Sequence, residues 1–161
     1  MNRDTSPSVP VGPALRRAWV GYQLRVDDAM KAAGFDDRQF PDGRVLRMCA
    51  ESTATTISQI GRELGITRQG AGKIIASLRE RRYVKLVSSA TDGREKIVTL
   101  TPRAVDYLAA QRRAARTIER SLQRELGPDG LAGLHRLLEV LGGGAEVRMR
   151  DYLRNTGLRE S

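Results

Sequence analysis

One stretch, Thr56 to Leu100, constrains this chain more than any other. It reads TTISQIGRELGITRQGAGKIIASLRERRYVKLVSSATDGREKIVTL from Thr55 onward, and its punctuation predicts two short helices joined by a tight turn, then a β-hairpin. Thr56 suits the N-cap of the first helix, and Gln59, three residues on, suits the return half of a capping box. Ile57, Ile60 and Leu64 fall at i, i+3 and i+7, one apolar stripe. Gly65 stops that helix, because glycine enters the left-handed region without a Cβ clash. Ile66 then points inward and Thr67 caps the second helix.

The second helix is expected to bury Ala71, Ile74, Ile75 and Leu78. Its opposite face carries Thr67, Arg68, Gln69, Gly70, Lys73 and Ser77. Arginine matches guanine N7/O6 and glutamine matches adenine N6/N7, each through two hydrogen bonds. A helix that enters a major groove needs those groups in its first turns. Gly70 and Gly72 each cost about 1 kcal/mol of helix propensity relative to alanine. Close approach of the backbone to DNA, or to the first helix, would offset that cost. An ordinary solvated polar face has the same composition, so the helix alone does not decide the matter.

The hairpin adds weight to the DNA reading. Tyr83–Val87 and Lys96–Leu100 are rich in strand formers, and Asp92-Gly93 between them is a strong turn signal. The loop carries Arg94 at its tip with Ser88, Ser89 and Thr91 as hydroxyl donors, a set suited to phosphates or a minor groove. Asp92 would repel DNA. It is read as wing support, turned back to hold Arg94 or another arginine.

Charge follows the same stretch. The formal net charge is +9, and residues 67–96 hold 8 basic and 3 acidic groups, more than half of the excess. Basicity meant only for solubility would be spread evenly; a concentrated patch is what a nucleic-acid binder needs. Aromatic residues are only 4% of the chain and none interleave with the basic loop, which argues against single-strand binding by base stacking.

With these residues in view, the sequence resembles the MarR family of winged helix-turn-helix bacterial transcription regulators. The resemblance rests on ISQIGRELGITRQGAGKIIASLRERRYV, on Asp92-Gly93-Arg94 in the wing, and on the strand-to-helix junction LTPRA. It covers Leu46 to Leu108 by motif and most of the chain by architecture. Two positions depart from the pattern: the family often has glycine where this chain has Arg82, and often near Ala104. The resemblance implies a homodimer whose N- and C-terminal helices interdigitate, a repressor rather than an activator, and a small, often phenolic effector bound between the dimer helices and the DNA-binding lobe. Trp19, Tyr22, Phe35, Phe40 and Met48 are the candidates to line that effector site, although such a stripe is more often core. Some members sense oxidants through a cysteine near the N-terminus. Cys49 follows Met48 in an apolar run with nothing nearby to lower its pKa, and is read as core.

The expected fold class is therefore mainly α with a small β-hairpin wing, a winged helix-turn-helix carried on N- and C-terminal dimerisation helices. Residues 1–11 and 154–161 are expected to be flexible. Residues 12–153 form a single domain, with 12–34 and 102–153 as dimerisation helices and 42–100 as the winged-helix lobe. A helix over Leu15–Ala33 presents Leu15, Ala18, Trp19, Tyr22, Val26, Ala29 and Met30 on one face. Thr101-Pro102 is a clean helix start, and Val105, Leu108, Ala115, Ile118, Leu122 and Leu126 recur as a narrow seam up to a break at Gly127-Pro128. A further amphipathic segment carries Leu131, Leu134, Leu137, Leu138 and Leu141, and Val147–Leu153 suggests a last short helix. These faces exceed what one small lobe covers, which by itself points to a second copy.

Other function classes find little support. One histidine, His135, and one cysteine leave no metal-ligand cluster, no disulfide and no Ser-His-Asp set. Gly70 and Gly72 fall inside a helix, so no nucleotide-binding loop is present. Asp27-Asp28 and Asp36-Asp37 are read as solvated pairs. No enzyme activity, cofactor or metal is expected. No apolar run approaches the ~20 residues needed to span a bilayer, and a cytoplasmic protein fits. The expected partners are double-stranded DNA, a second copy and a small aromatic effector. A low-specificity DNA-coating protein and a winged helix used for protein contact remain as alternatives.

Overall fold

A computed structural model of the chain describes residues 10–52, 54–89 and 96–145. Seven elements follow in order: α1 (Val11–Ala32), α2 (Asp42–Glu51), α3 (Ile57–Leu64), α4 (Arg68–Glu80), β1 (Val84–Ser88), β2 (Lys96–Leu100) and α5 (Pro102–Gly142). The mainly helical architecture with one hairpin is the winged helix-turn-helix that the sequence predicts. Wing residues Asp92 and Arg94 and the suggested helix over Val147–Leu153 lie outside the described residues.

Helix starts follow the expected chemistry. Thr56 and Gln59 form a full capping box: Gln59 N–H donates to Thr56 Oγ1 at 3.2 Å, and Thr56 N–H donates to Gln59 Oε1 at 2.8 Å. Thr67 Oγ1 accepts from Gly70 N–H at 3.1 Å, and Thr101 caps α5 with Pro102 behind it. The start of α1 differs from expectation. It begins at Val11 rather than Leu15, because Pro13 falls in the first turn, where a missing N–H costs nothing.

Three helices end in one way. Phe35 N–H donates to Met30 O, Ile66 N–H to Gly61 O and Tyr83 N–H to Leu78 O, each across one left-handed residue. Those residues are Gly34 (φ 85°), Gly65 (φ 67°) and Arg82 (φ 63°). This paired closure satisfies carbonyls that the helix leaves open. At Arg82 it is built without glycine.

Tyr83 is consumed by that turn, so β1 starts one residue later than the pattern suggests. The strands pair antiparallel from Val84↔Leu100 to Ser88↔Lys96. The segment before α3 adds a third edge: Thr56 bridges Ile97, and Val98 N–H donates to Thr55 O at 2.8 Å. The wing is thereby tied to the start of α3.

The core collects Met30, Val45, Leu46, Ile60, Leu64, Ala71, Ile75, Leu78, Val84 and Val98 around Tyr83 and Tyr107. The seam of α5 departs from the sequence reading. Its buried face is Ala104, Tyr107, Leu108, Ala110, Ala114 and Ile118, while Val105 and Leu126 are about half exposed. The small alanines present little side chain between α5 and the elements it covers, and Tyr107 takes the place of the larger aliphatics. At Gly43 on α2 a Cβ would meet the amide of the Gln111 side chain from α5, so that amide sits directly over the glycine. At Gly127 (φ 70°) the helical path breaks before Pro128. His135 then lies 3.9 Å from Glu119, so the terminal segment folds back along the first. A straight helix would hold residues sixteen apart roughly 24 Å away from each other.

The acidic pairs are not all solvated. Asp37 accepts from Tyr83 Oη at 2.5 Å and from Arg103 Nη2 at 3.1 Å, and Asp27 pairs with Arg38. The sequence showed two aspartates side by side; the fold brings cations to such pairs from 11 and 66 residues away and a phenol from 46.

Candidate nucleic-acid interface

The candidate interface is the outward face of α4. Ala71, Ile75 and Leu78 are fully buried beneath it, which rotates Arg68, Gln69 and Lys73 outward. All three are exposed and make no hydrogen bond or ion pair among the described residues. Thr67 is exposed as well, with its oxygen committed to the cap. Gly72 has no atom within 4 Å of a built Cβ, and at Gly70 only ordinary contacts to Thr67 and Ile66 arise. Neither glycine is needed for packing on α3. The explanation from close helix approach therefore falls, and open space on the outward face remains.

Ser77 is placed differently from the other expected contacts. It is half-buried, and its Oγ accepts from Arg81 Nη2 at 3.2 Å. Ser88 is exposed at the end of β1, with its Oγ accepting from Lys96 Nζ at 2.8 Å. Between α3 and the wing base lies a hollow of about 200 Å³ lined by Thr56, Ser58, Gln59, Arg62, Ser89 and Ile97. Sequence reading passed over Ser58 and Arg62, because Arg62 is cancelled by Glu63 in a charge count although its side chain is exposed.

The far end of α4 is anchored by charge. Arg81 Nη1 donates to Asp42 Oδ2 at 2.6 Å and to the Asp37 carbonyl at 2.9 Å, and Nη2 donates to Asp42 Oδ1 at 2.9 Å. Asp42 is buried and also accepts from Gln39 N–H at 2.9 Å. The hydrogen bond to Asp42 holds the Arg81 guanidinium protonated above its ordinary range. Beside this pair, Arg103 lies 4.8 Å from the centre of the Tyr83 ring. Burial first, and the hydrogen bond to Asp37 second, push the Tyr83 phenol upward. Tyr107 is raised to about 12, chiefly by burial.

The chain has solved structural relatives. CouR, a transcriptional repressor bound to a 23-mer DNA duplex, aligns with a TM-score of 0.65 at 22% identity, over 88% of this chain and 99% of that one. The reduced form of MarR from E. coli aligns at 0.65 and 16%, over 83% and 96%. BpsR of Bordetella bronchiseptica, whose DNA binding is regulated by 6-hydroxynicotinic acid, aligns at 0.62 and 19%, over 90% and 99%. At these identities the likeness establishes a common fold. No curated protein sequence matches the chain. Residues 36–95, spanning the α1–α2 linker to the wing, match the MarR family model.

Over residues 36–95 the chain is similar to the MarR family, and its fold is the winged helix of these solved structures. Against the family pattern, Arg82 in place of glycine sits where the backbone is left-handed, at φ 63°. Thr101 holds this turn in shape, its single hydroxyl proton shared between Arg82 O at 2.7 Å and Tyr83 O at 3.0 Å.

The residues put forward for an effector are dispersed in character. Trp19 stacks on Tyr22 with ring centroids 6.0 Å apart, and Trp19 is 46% exposed. Tyr22 and Met48 pack on the rim of the core, Phe40 is half-exposed, and Phe35 is a core residue set edge-on to Tyr107 at 5.4 Å. Cys49 is buried, and burial pushes its thiol up to about 11. Among the described residues no group of His, Cys, Asp and Glu is arranged to hold a metal ion, and no helix is long and apolar enough to cross a membrane.

Proposed function

We propose that this chain is a sequence-specific, double-stranded-DNA-binding transcription regulator, a homodimeric repressor released by a small-molecule effector and working in the cytoplasm. One observation carries the DNA reading. Arg68, Gln69 and Lys73 stand exposed and unengaged at the free end of α4, while the other end of that helix is tied into the protein. Long polar side chains left without partners on a rigid helix fit base edges and phosphates.

Exposed apolar surface supports the dimer. Val11, Trp19, Val20 and Leu24 on α1 and Leu126, Leu137, Leu138, Val140 and Leu141 on α5 are 42–76% exposed. Most of the exposed large apolar side chains among the described residues lie on these first and last helices, a concentration that a second copy would cover. A two-fold pair of reading helices would be spaced about 34 Å apart, one DNA turn. Repression and effector release are taken from relatives: CouR is a repressor found on DNA, and BpsR answers to an aromatic acid. The exposed Trp19–Tyr22 stack, with Phe40 and Met48, is the place proposed for such a ligand.

The test compares Gln69→Ala with Lys73→Ala on a duplex selected by the wild-type protein and on a scrambled one. Gln69→Ala is expected to cost about 1–3 kcal/mol on the selected duplex alone. Lys73→Ala is expected to weaken both duplexes and to lower the salt slope by about 0.9 for the phosphate lost. Equal behaviour of the two variants would contradict base reading by α4. Sedimentation at micromolar concentration tests the dimer, and a monomer would overturn it.

A further inference from the structure

The fold anchors the reading helix at one point by directional bonds. Beneath α4, Ala71, Ile75 and Leu78 supply buried apolar surface, which attracts without fixing an angle. Arg81, at the end of the helix, is different. Its planar guanidinium grips both oxygens of Asp42 at the start of α2, the carbonyl of Asp37 in the α1–α2 linker, and Ser77 one turn back on its own helix. A fork of this kind is satisfied in one orientation only. Two residues on, Tyr83 and Arg103 close a second clamp on the carboxylate of Asp37.

We propose that Arg81 is a positioning residue for sequence discrimination: through Asp42 and Asp37 it sets the angle at which α4 presents Arg68 and Gln69. The inference rests on the DNA-reading function above. Leverage makes the angle matter. Arg68 stands at the opposite end of a 13-residue helix, roughly 20 Å away. A tilt of about 5° at the anchor moves that end by about 1.7 Å, beyond the range over which a hydrogen bond to a base edge survives. The side chain of Arg81 is only 14% exposed and that of Asp42 2%, so the pair is turned into the protein and not toward a phosphate. Its loss therefore changes where the reading residues sit, not how many phosphates are neutralised.

The experiment measures two quantities for the full-length protein. One is the ratio of affinities for a duplex selected from a random pool by the wild type and for a scrambled duplex of equal composition. The other is the salt slope on the scrambled duplex. Arg81→Lys keeps the charge and loses the fork. It is expected to lower the ratio roughly tenfold or more, the size of one lost bidentate base contact, with the salt slope unchanged. A merely structural role would remove active protein and weaken both duplexes in proportion, leaving the ratio intact. Should Arg81→Lys fail to fold, Arg81→Met combined with Asp42→Leu replaces the buried pair by apolar groups of similar volume, an exchange that commonly preserves stability. The double variant is expected to fold and to show the same lowered ratio. A wild-type ratio in either folded variant overturns the positioning role. A wild type that selects no sequence overturns the DNA-reading function, and the inference with it.

Discussion

Replacing Arg82 by glycine is expected to stabilise the protein. The residue sits at φ 63°, between Arg79 O, which accepts its own N–H at 3.0 Å, and Tyr83, whose N–H reaches Leu78 O at 2.8 Å. A left-handed conformation costs a residue with a Cβ about 1–2 kcal/mol. Glycine removes that cost but adds about 0.4–1 kcal/mol of backbone freedom to the unfolded chain. The expected net gain is about 0.5–1 kcal/mol, a rise in Tm of about 2–4 °C at most for a chain of this size. Arg82→Ala is the control, because alanine loses the side chain and keeps the strain. Urea unfolding of the three proteins at one fixed concentration provides the measurement, since association would otherwise shift the midpoints. The result that would refute the reasoning is a glycine variant no more stable than the alanine variant. It would mean that the turn carries no steric cost at this position.

Other substitutions separate further parts of the structure. Tyr83→Phe removes the donor to Asp37 and is expected to cost about 1.5–3 kcal/mol, whereas Tyr107→Phe, whose hydroxyl is buried without a hydrogen-bond partner, should be nearly neutral in the same urea titrations. Gly72→Ala meets open space and should stabilise α4 by up to about 1 kcal/mol; weaker DNA binding alongside greater stability would show that the DNA backbone comes close there. Cys49, with its thiol pushed up to about 11, should react slowly with a disulfide reagent at pH 8 in the native protein and freely in urea. Burial raises its pKa from an ordinary 9.0, so the thiol's contribution to stability is complete below about pH 9 and is lost as pH rises toward 11. Rapid native labelling at pH 8 would contradict its burial.

What the sequence made legible was local. Thr56 with Gln59, Thr67, Gly65 and Thr101-Pro102 act within four residues of themselves, so their roles could be read without a fold. The outward face of α4 was readable for a similar reason, since helical spacing alone sets Arg68, Gln69 and Lys73 opposite Ala71, Ile75 and Leu78. The anchor was not readable. Arg81 and Asp42 are 39 residues apart, and in the sequence one is an arginine in a basic run and the other an aspartate after a proline. Leu108 and Ile118 of the expected seam are buried, but Tyr107 and the alanines Ala104, Ala110 and Ala114 were missed because large aliphatic residues dominate a search for a seam. Ser77 was assigned by its face alone; the arginine one turn later draws it inward.

The anchor also ties the winged-helix lobe to the helices that carry it. α4 is held at its C-terminal end by the linker that follows α1, and α1 lies along α5.

The most direct test of the central claim is binding to duplexes selected from a random pool, measured beside scrambled duplexes at several salt concentrations. A sequence-specific reader should bind a selected duplex at least ~10³-fold more tightly than the scrambled one. Equal affinity for both, with a steep loss on added salt, would contradict sequence reading by α4 and leave a basic protein that coats DNA.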